Sequence, residues 1–174
     1  MTLSSSTARA LYTPEERWRR DHTVWTWVQG VLAPVQFSVF LISLVLVCRS
    51  LWWGDDPSWA ELSVVIKTSL LYTIMVTGCI WEKVVFGQYL FAPSFFWEDV
   101  VSMGVMVLHT AYLWAWWHNS LSSDALLWLA LVAYLTYAVN AAQFLLKLRR
   151  ARLQSSDSTV SSSDLPVNAF GDTA

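Results

Sequence analysis

The sequence predicts an all-α integral membrane protein with four transmembrane helices, and three observations carry that prediction. Apolar residues come in four blocks, each near the ~20 residues a helix needs to cross a ~30 Å hydrocarbon core. Only 14% of the residues are charged and 55% are hydrophobic, with a mean hydropathy of +0.42; a soluble domain carries about a quarter charged residues. The chain has 12 Trp residues, and many (Trp25, Trp27, Trp52, Trp53, Trp81, Trp97, Trp116, Trp117) fall at block ends, as an interfacial aromatic belt requires.

The elements follow in order. Residues 1–25 form a polar N-terminal segment with a short amphipathic helix. Thr13 is its natural N-cap, Pro14 suits the first helical position, and Glu15 and Glu16 favour the positive end of the dipole. That helix is expected to run straight into the first span, 27–47, where Pro34 predicts a kink. The second span covers 62–81. With no proline at its end, it is expected to continue through Glu82 toward Tyr89 until Pro93 breaks it. Ser94 would then cap the third span, 100–117, and the fourth covers 125–146. These make one transmembrane domain, 26–152. Residues 153–174 are rich in Ser and Asp without hydrophobic periodicity and read as a disordered tail. No block has the flanks of a cleaved signal. Cys48 and Cys79 have neither disulfide nor metal-site spacing and read as packing residues.

Charge sets the orientation. Arg9, Arg17, Arg19 and Arg20 precede the first span; Lys147, Arg149, Arg150 and Arg152 follow the fourth. Asp55, Asp56, Glu61 and Asp124 mark the opposite ends. The positive-inside rule therefore puts both termini and the loop between the second and third spans in the cytoplasm. The expected location is a bacterial cytoplasmic or intracytoplasmic membrane. No nucleic-acid partner is expected.

That loop holds the chemistry. Glu82, Lys83, Glu98 and Asp99 lie where hydrocarbon gives way to water, among Phe86, Tyr89, Phe95, Phe96 and Trp97. A partly desolvated carboxyl group there keeps a proton more readily and can serve as a general acid. Plainer readings stand beside this one. Glu98 and Asp99 suit a helix N-terminus, and Glu82 with Lys83 suits a membrane-edge pair. Within the spans, polar residues are few. His109 reads either as interhelical glue to Asn140 or a Gln, or as a pigment-magnesium ligand or proton carrier. Lys67 reads as snorkelling to the outer surface. Nothing resembles a phosphate loop, a zinc site or a nucleophilic triad, and no protein-bound metal is expected.

Longer motifs are more specific. Tyr12-Thr13-Pro14-Glu15-Glu16-Arg17, Val24-Trp25-Thr26, Val28–Pro34, Leu71–Gly78, Trp81–Met103, Leu108–Tyr112 and Asn140–Arg149 together resemble the 3-vinyl bacteriochlorophyllide hydratases (chlorophyllide a 3(1)-hydratases). The resemblance covers about Tyr12 to Leu153. It implies a membrane enzyme of bacteriochlorophyll synthesis that adds water across the 3-vinyl group of chlorophyllide a, or a related bacteriochlorophyllide, to give a 3-(1-hydroxyethyl) group. It brings no established catalytic residues with it.

For that reaction, Glu82, Glu98 and Asp99 are the candidate acid and base. Lys83 would hold a carboxylate ionised or pair with the pigment propionate. Phe86, Tyr89, Phe95, Phe96 and Trp97 would stack on the macrocycle, with His109 and Asn140 completing the binding group. No cofactor is expected, magnesium being carried by the substrate. Pigment, water and membrane lipid are the expected partners, with a homo-oligomer or neighbouring pigment-synthesis enzymes left open. A non-catalytic pigment carrier or assembly factor would need the same aromatic loop but no acid pair. A purely structural four-helix protein would bind no pigment.

Overall fold

The computed structural model describes the backbone of residues 11–163 and the side chains of residues 11–149. Thr13 caps α1 (Pro14–His22) with a reciprocal capping box: Glu16 N–H donates to Thr13 Oγ1 at 3.2 Å and Thr13 N–H to Glu16 Oε2 at 2.8 Å. Contrary to expectation, this helix does not run on into the first span. Thr23, with ψ 138°, breaks it and caps α2 (Val24–Trp53) through the Trp25 N–H. α2 continues through Pro34 to Gly54, whose φ of 73° ends it in the left-handed region open to glycine. Asp56 caps α3 (Pro57–Phe86). The backbone and side-chain hydrogen bonds from Ser58 hold the Asp56 carboxyl below its ordinary pKa.

α3 ends earlier than expected. Gly87, at φ 83°, donates its N–H to Lys83 O at 3.1 Å, and Lys83 Nζ returns a bond to Gly87 O at 2.7 Å. Glycine C-capping, and not Pro93, stops this helix. α4 (Phe96–Trp117) has no side-chain cap. Ser94, the expected cap, donates its hydroxyl to Leu11 O at 2.9 Å instead. α5 (Ser123–Ser163) continues helical past residue 153, where a disordered tail was expected to begin; the remaining tail positions, 164–174, lie outside the described residues.

Four helices are long and apolar enough to cross a membrane: Val24–Trp53, Pro57–Phe86, Phe96–Trp117 and Ser123–Arg149. α2 packs along α3 and α4 along α5. The central core is built from Phe40, Val64, Val105, Leu127 and Tyr134. Outward faces are apolar too, with Ile42, Val107 and Leu135 all more than half exposed. Such faces suit lipid better than water. Hydroxyls facing them bond their own helix, as Thr73 does to Ser69 O and Thr136 to Val132 O.

The α3/α4 seam is polar along its length. Tyr72 and Thr110 hydroxyls meet at 2.6 Å, Lys67 Nζ lies 3.4 Å from His109 Nε2, and Tyr112 O–H donates to Glu61 O at 3.5 Å. Lys67 does not snorkel. It is fully buried, 3.7 Å from the centre of the Tyr137 ring, because α4 and α5 cover it and the ring face and imidazole take the place of water.

Gly87 and Gly104 should respond oppositely to a side chain. Gly87→Val forces a left-handed β-branched residue and should cost ~1–2 kcal/mol. Gly104→Ala, whose Cβ meets nothing within 4 Å, should stabilise by ~0.4–1 kcal/mol. Thermal melting in detergent checks both.

Candidate active site

The connection between α3 and α4 is held from both sides by carboxylates. Phe91 sits at φ 60°, a strained backbone for an aromatic residue. Its N–H donates to Asp99 Oδ2 at 2.8 Å, and the next N–H, of Ala92, reaches Glu82 Oε2 at 3.5 Å. Phe95 N–H donates to Ala92 O at 2.7 Å and closes the turn into α4. Thus the last turn of α3 and the first turn of α4 bind one loop between them.

Glu82 and Asp99 are 6% and 4% exposed, and each accepts a backbone N–H of the same loop. Burial makes two charged carboxylates at one site costly, so such a site favours holding a proton. Asp99 accepts the shorter of the two backbone bonds.

Glu98 lies on a different side of α4. It is 8% exposed and pairs with Lys147 of α5, Nζ to Oε2 at 2.6 Å. Lys147 also stands 4.8 Å over the Phe95 ring. A contact this short is a strong, charge-assisted hydrogen bond. One short stretch of α4 thus presents Asp99 to the loop that Glu82 also binds, and Glu98 to α5.

The expected binding residues separate into distinct groups. Phe86 and Phe95 belong to an inner cluster with Tyr12, Trp81, Val85 and Phe144. Tyr12 stacks on Phe86, the ring centres 5.8 Å apart and nearly parallel, with the Arg20 guanidinium 4.8 Å from the Tyr12 ring centre. Burial holds the Tyr12 phenol above its ordinary pKa, and Arg20 acts against that rise. Tyr89, Phe96 and Trp97 are on the surface, at 60%, 44% and 70% exposure. Lys83 is exposed as well, 5.1 Å from the Tyr89 ring centre. It bonds backbone, and the cation that pairs a carboxylate is Lys147. A cleft of about 320 Å³ runs between the start of α1 and the loop, lined by Leu11, Thr13, Glu16, Phe86, Gln88, Pro93 and Ser94. None of the three acids lines it.

His109 and Asn140 lie deeper. His109 is fully buried; Nδ1 donates to Val105 O at 2.9 Å, which leaves Nε2 to accept from Lys67. Both ring nitrogens are engaged within the bundle. Asn140 bonds Ser102 Oγ at 2.8 Å and not His109. Lys147 and Ser102 were not singled out from sequence. The spacing Asn140, Gln143, Lys147 puts Lys147 on the same helix face as the two amides, and that signal points to it.

A family model described as 2-vinyl bacteriochlorophyllide hydratase matches residues 12–150. The chain is 63% identical over 146 residues to a protein of Rhodobacter capsulatus named 2-vinyl bacteriochlorophyllide hydratase, covering 84% of this chain and 85% of that one. It is 60% identical over 152 residues to a protein of the same name from Cereibacter sphaeroides, covering 87% and 94%. No solved structure matches the chain.

Removing Lys147 alone should leave Glu98 without its partner. Lys147→Met is expected to cost ~1.5–3 kcal/mol, the usual scale for hydrogen bonds to charged groups. Adding Glu98→Gln should recover part of that loss. A double-mutant cycle on thermal unfolding in detergent measures the coupling.

Proposed function

The chain belongs to the 2-vinyl bacteriochlorophyllide hydratase family, and on that premise we propose how its own residues hydrate the vinyl group. The protein is a hydro-lyase of bacteriochlorophyll biosynthesis. Its substrate is a chlorophyllide-type pigment, chlorophyllide a or a related bacteriochlorophyllide, and its product the 1-hydroxyethyl derivative. The vinyl position is numbered 2 or 3 according to the tetrapyrrole scheme used.

The reaction is redox-neutral and needs no electron carrier; the magnesium travels with the pigment. A proton must reach the terminal vinyl carbon, and a water oxygen must reach the inner one. Glu82 donates the proton that it shares with Asp99. The π bond breaks, a C–H bond forms, and the cation at the inner carbon delocalises into the macrocycle. Water adds there, and Glu98, paired with Lys147, takes up its extra proton. General acid–base help of this kind contributes ~10²–10⁴-fold. The observation that carries this reading is the pairing pattern: two of the three buried acids hold one loop between α3 and α4 without a cation, and the third faces a lysine.

The exposed rings of Tyr89, Phe96 and Trp97 offer the macrocycle a stacking surface at the lipid edge. Lys83, beside Tyr89, meets the propionate. Phe86 and Phe95 support that surface from beneath, and Asn140 serves the water side. His109 is a bundle residue in this reading, since its nitrogens bond Lys67 and Val105. The arginines before the first span and the basic run after the fourth support a topology with both termini and the active loop on the cytoplasmic side. The outward faces of the helices meet lipid, or a second copy or neighbouring pigment-synthesis enzymes.

The three acids give the test. Glu82→Gln should lower hydration of chlorophyllide a by ~10²–10⁴-fold, with pigment binding retained; Asp99→Asn and Glu98→Gln should also lose turnover. Near-normal turnover in all three variants removes the carboxylate mechanism. The pH dependence has a definite sign: the acid acts protonated, so turnover should fall as pH rises through loss of the shared proton. Single-turnover rates across pH, with product followed by mass, measure that limb.

A further inference from the structure

Beside the Glu98–Lys147 pair lie two amides whose bonding is incomplete. Asn140 is 9% exposed and spends one amide end on Ser102 Oγ, at 2.8 Å. Its other end, Oδ1, is buried and has no hydrogen-bond partner among the described residues, and the same holds for Gln143 Oε1. An unpaired buried amide oxygen is costly, and here two occur on one helix. They are three residues apart, so they share a face with Cβ atoms ~5–6 Å apart. One turn further along that face is Lys147, bonded to Glu98 at 2.6 Å.

Two acceptors beside a carboxylate suit a small molecule with two donors. Water is such a molecule, and it is the second reactant. We propose that Asn140 and Gln143 position the water that attacks the vinyl-derived cation. This rests on the reading of Glu82 as the acid and of Glu98 as the base. A bond donated to the amide oxygens would orient the water, and a lone pair on its oxygen would face the cation. One O–H would be shared between the amide oxygens and the other would face Glu98; as the new C–O bond forms, the O–H bond facing Glu98 breaks, its electron pair stays on the oxygen, and the proton passes to Glu98. The amides touch water and not pigment, so their loss leaves the proton-donating half of the reaction intact.

That separation makes the proposal testable in D₂O. Deuteron transfer from the Glu82 carboxyl puts a C–D bond on the terminal carbon. With water in place, the cation is captured as the alcohol. Without it, the methyl group returns a proton to the Glu82–Asp99 pair, the double bond re-forms, and the recovered substrate carries deuterium in its vinyl group. Asn140→Leu and Gln143→Leu keep approximate size and remove the acceptors. The full-length variants, reconstituted in lipid with chlorophyllide a, are followed by mass spectrometry for alcohol product and for vinyl deuteration.

The expected result is a ~10- to 100-fold fall in hydration, the scale of a lost positioning contact, with vinyl deuteration retained or increased. Gln143→Glu, which keeps an acceptor, should retain more hydration than Gln143→Leu. Normal hydration in both leucine variants overturns the proposal. So does a parallel loss of hydration and deuteration, which a structural role alone would give. Glu82→Gln reports separately on the acid: persistent vinyl deuteration there overturns the role of Glu82, whatever the amide variants do.

Discussion

Two buried carboxyl groups, Glu82 and Asp99, hold one end of this molecule together. One comes from α3 and the other from α4. Were both ionised, they would repel in a setting that water barely reaches. Both accept N–H groups of one loop, Asp99 from Phe91 and Glu82 from Ala92. The same arrangement joins two helices and fixes a left-handed loop residue. In the proposed mechanism, structure and chemistry draw on the same side chains.

Away from that end, one seam of the bundle follows the rule that polar groups within a membrane must satisfy one another. The α3/α4 seam does so with hydroxyl, imidazole and amine. Lys67 makes the point most sharply. A lysine about five residues inside the predicted outer end of its span invites the expectation that it reaches for water, but its neighbours are Tyr137, Tyr134 and His109. Periodicity shows which residues share a face; it does not show which helix covers that face.

This division marks what was legible in the chain. Four blocks of apolar residues are a property of composition along the sequence, and they appear as four helices. Thr13 and Pro14 announce the start of α1 because capping is local chemistry. The acidic and aromatic loop between the second and third spans was visible for the same reason. The end of α3 was misjudged because a proline drew attention from Gly87, whose left-handed conformation is decided by the hydrogen bonds it closes. Likewise, Glu82, Glu98 and Asp99 read as one group of acids. Which of them meets a cation depends on α5, and Lys147 had been counted only as a flanking charge. The aromatic set divides for a related reason: Phe95 is drawn inward by Tyr12 and Phe144, while Trp97 on the same helix faces out.

The partnership of Glu98 with Lys147 also constrains how the protein is made. The acid emerges from the ribosome 49 residues ahead of its cation, with an entire hairpin turn and most of the last span still to be translated. Until that final helix enters the bilayer, the anion has no counter-charge and α4 must tolerate it at the water boundary. Synthesis thus leaves this acidic end of the bundle half-built until the closing helix both completes it and supplies the counter-charge.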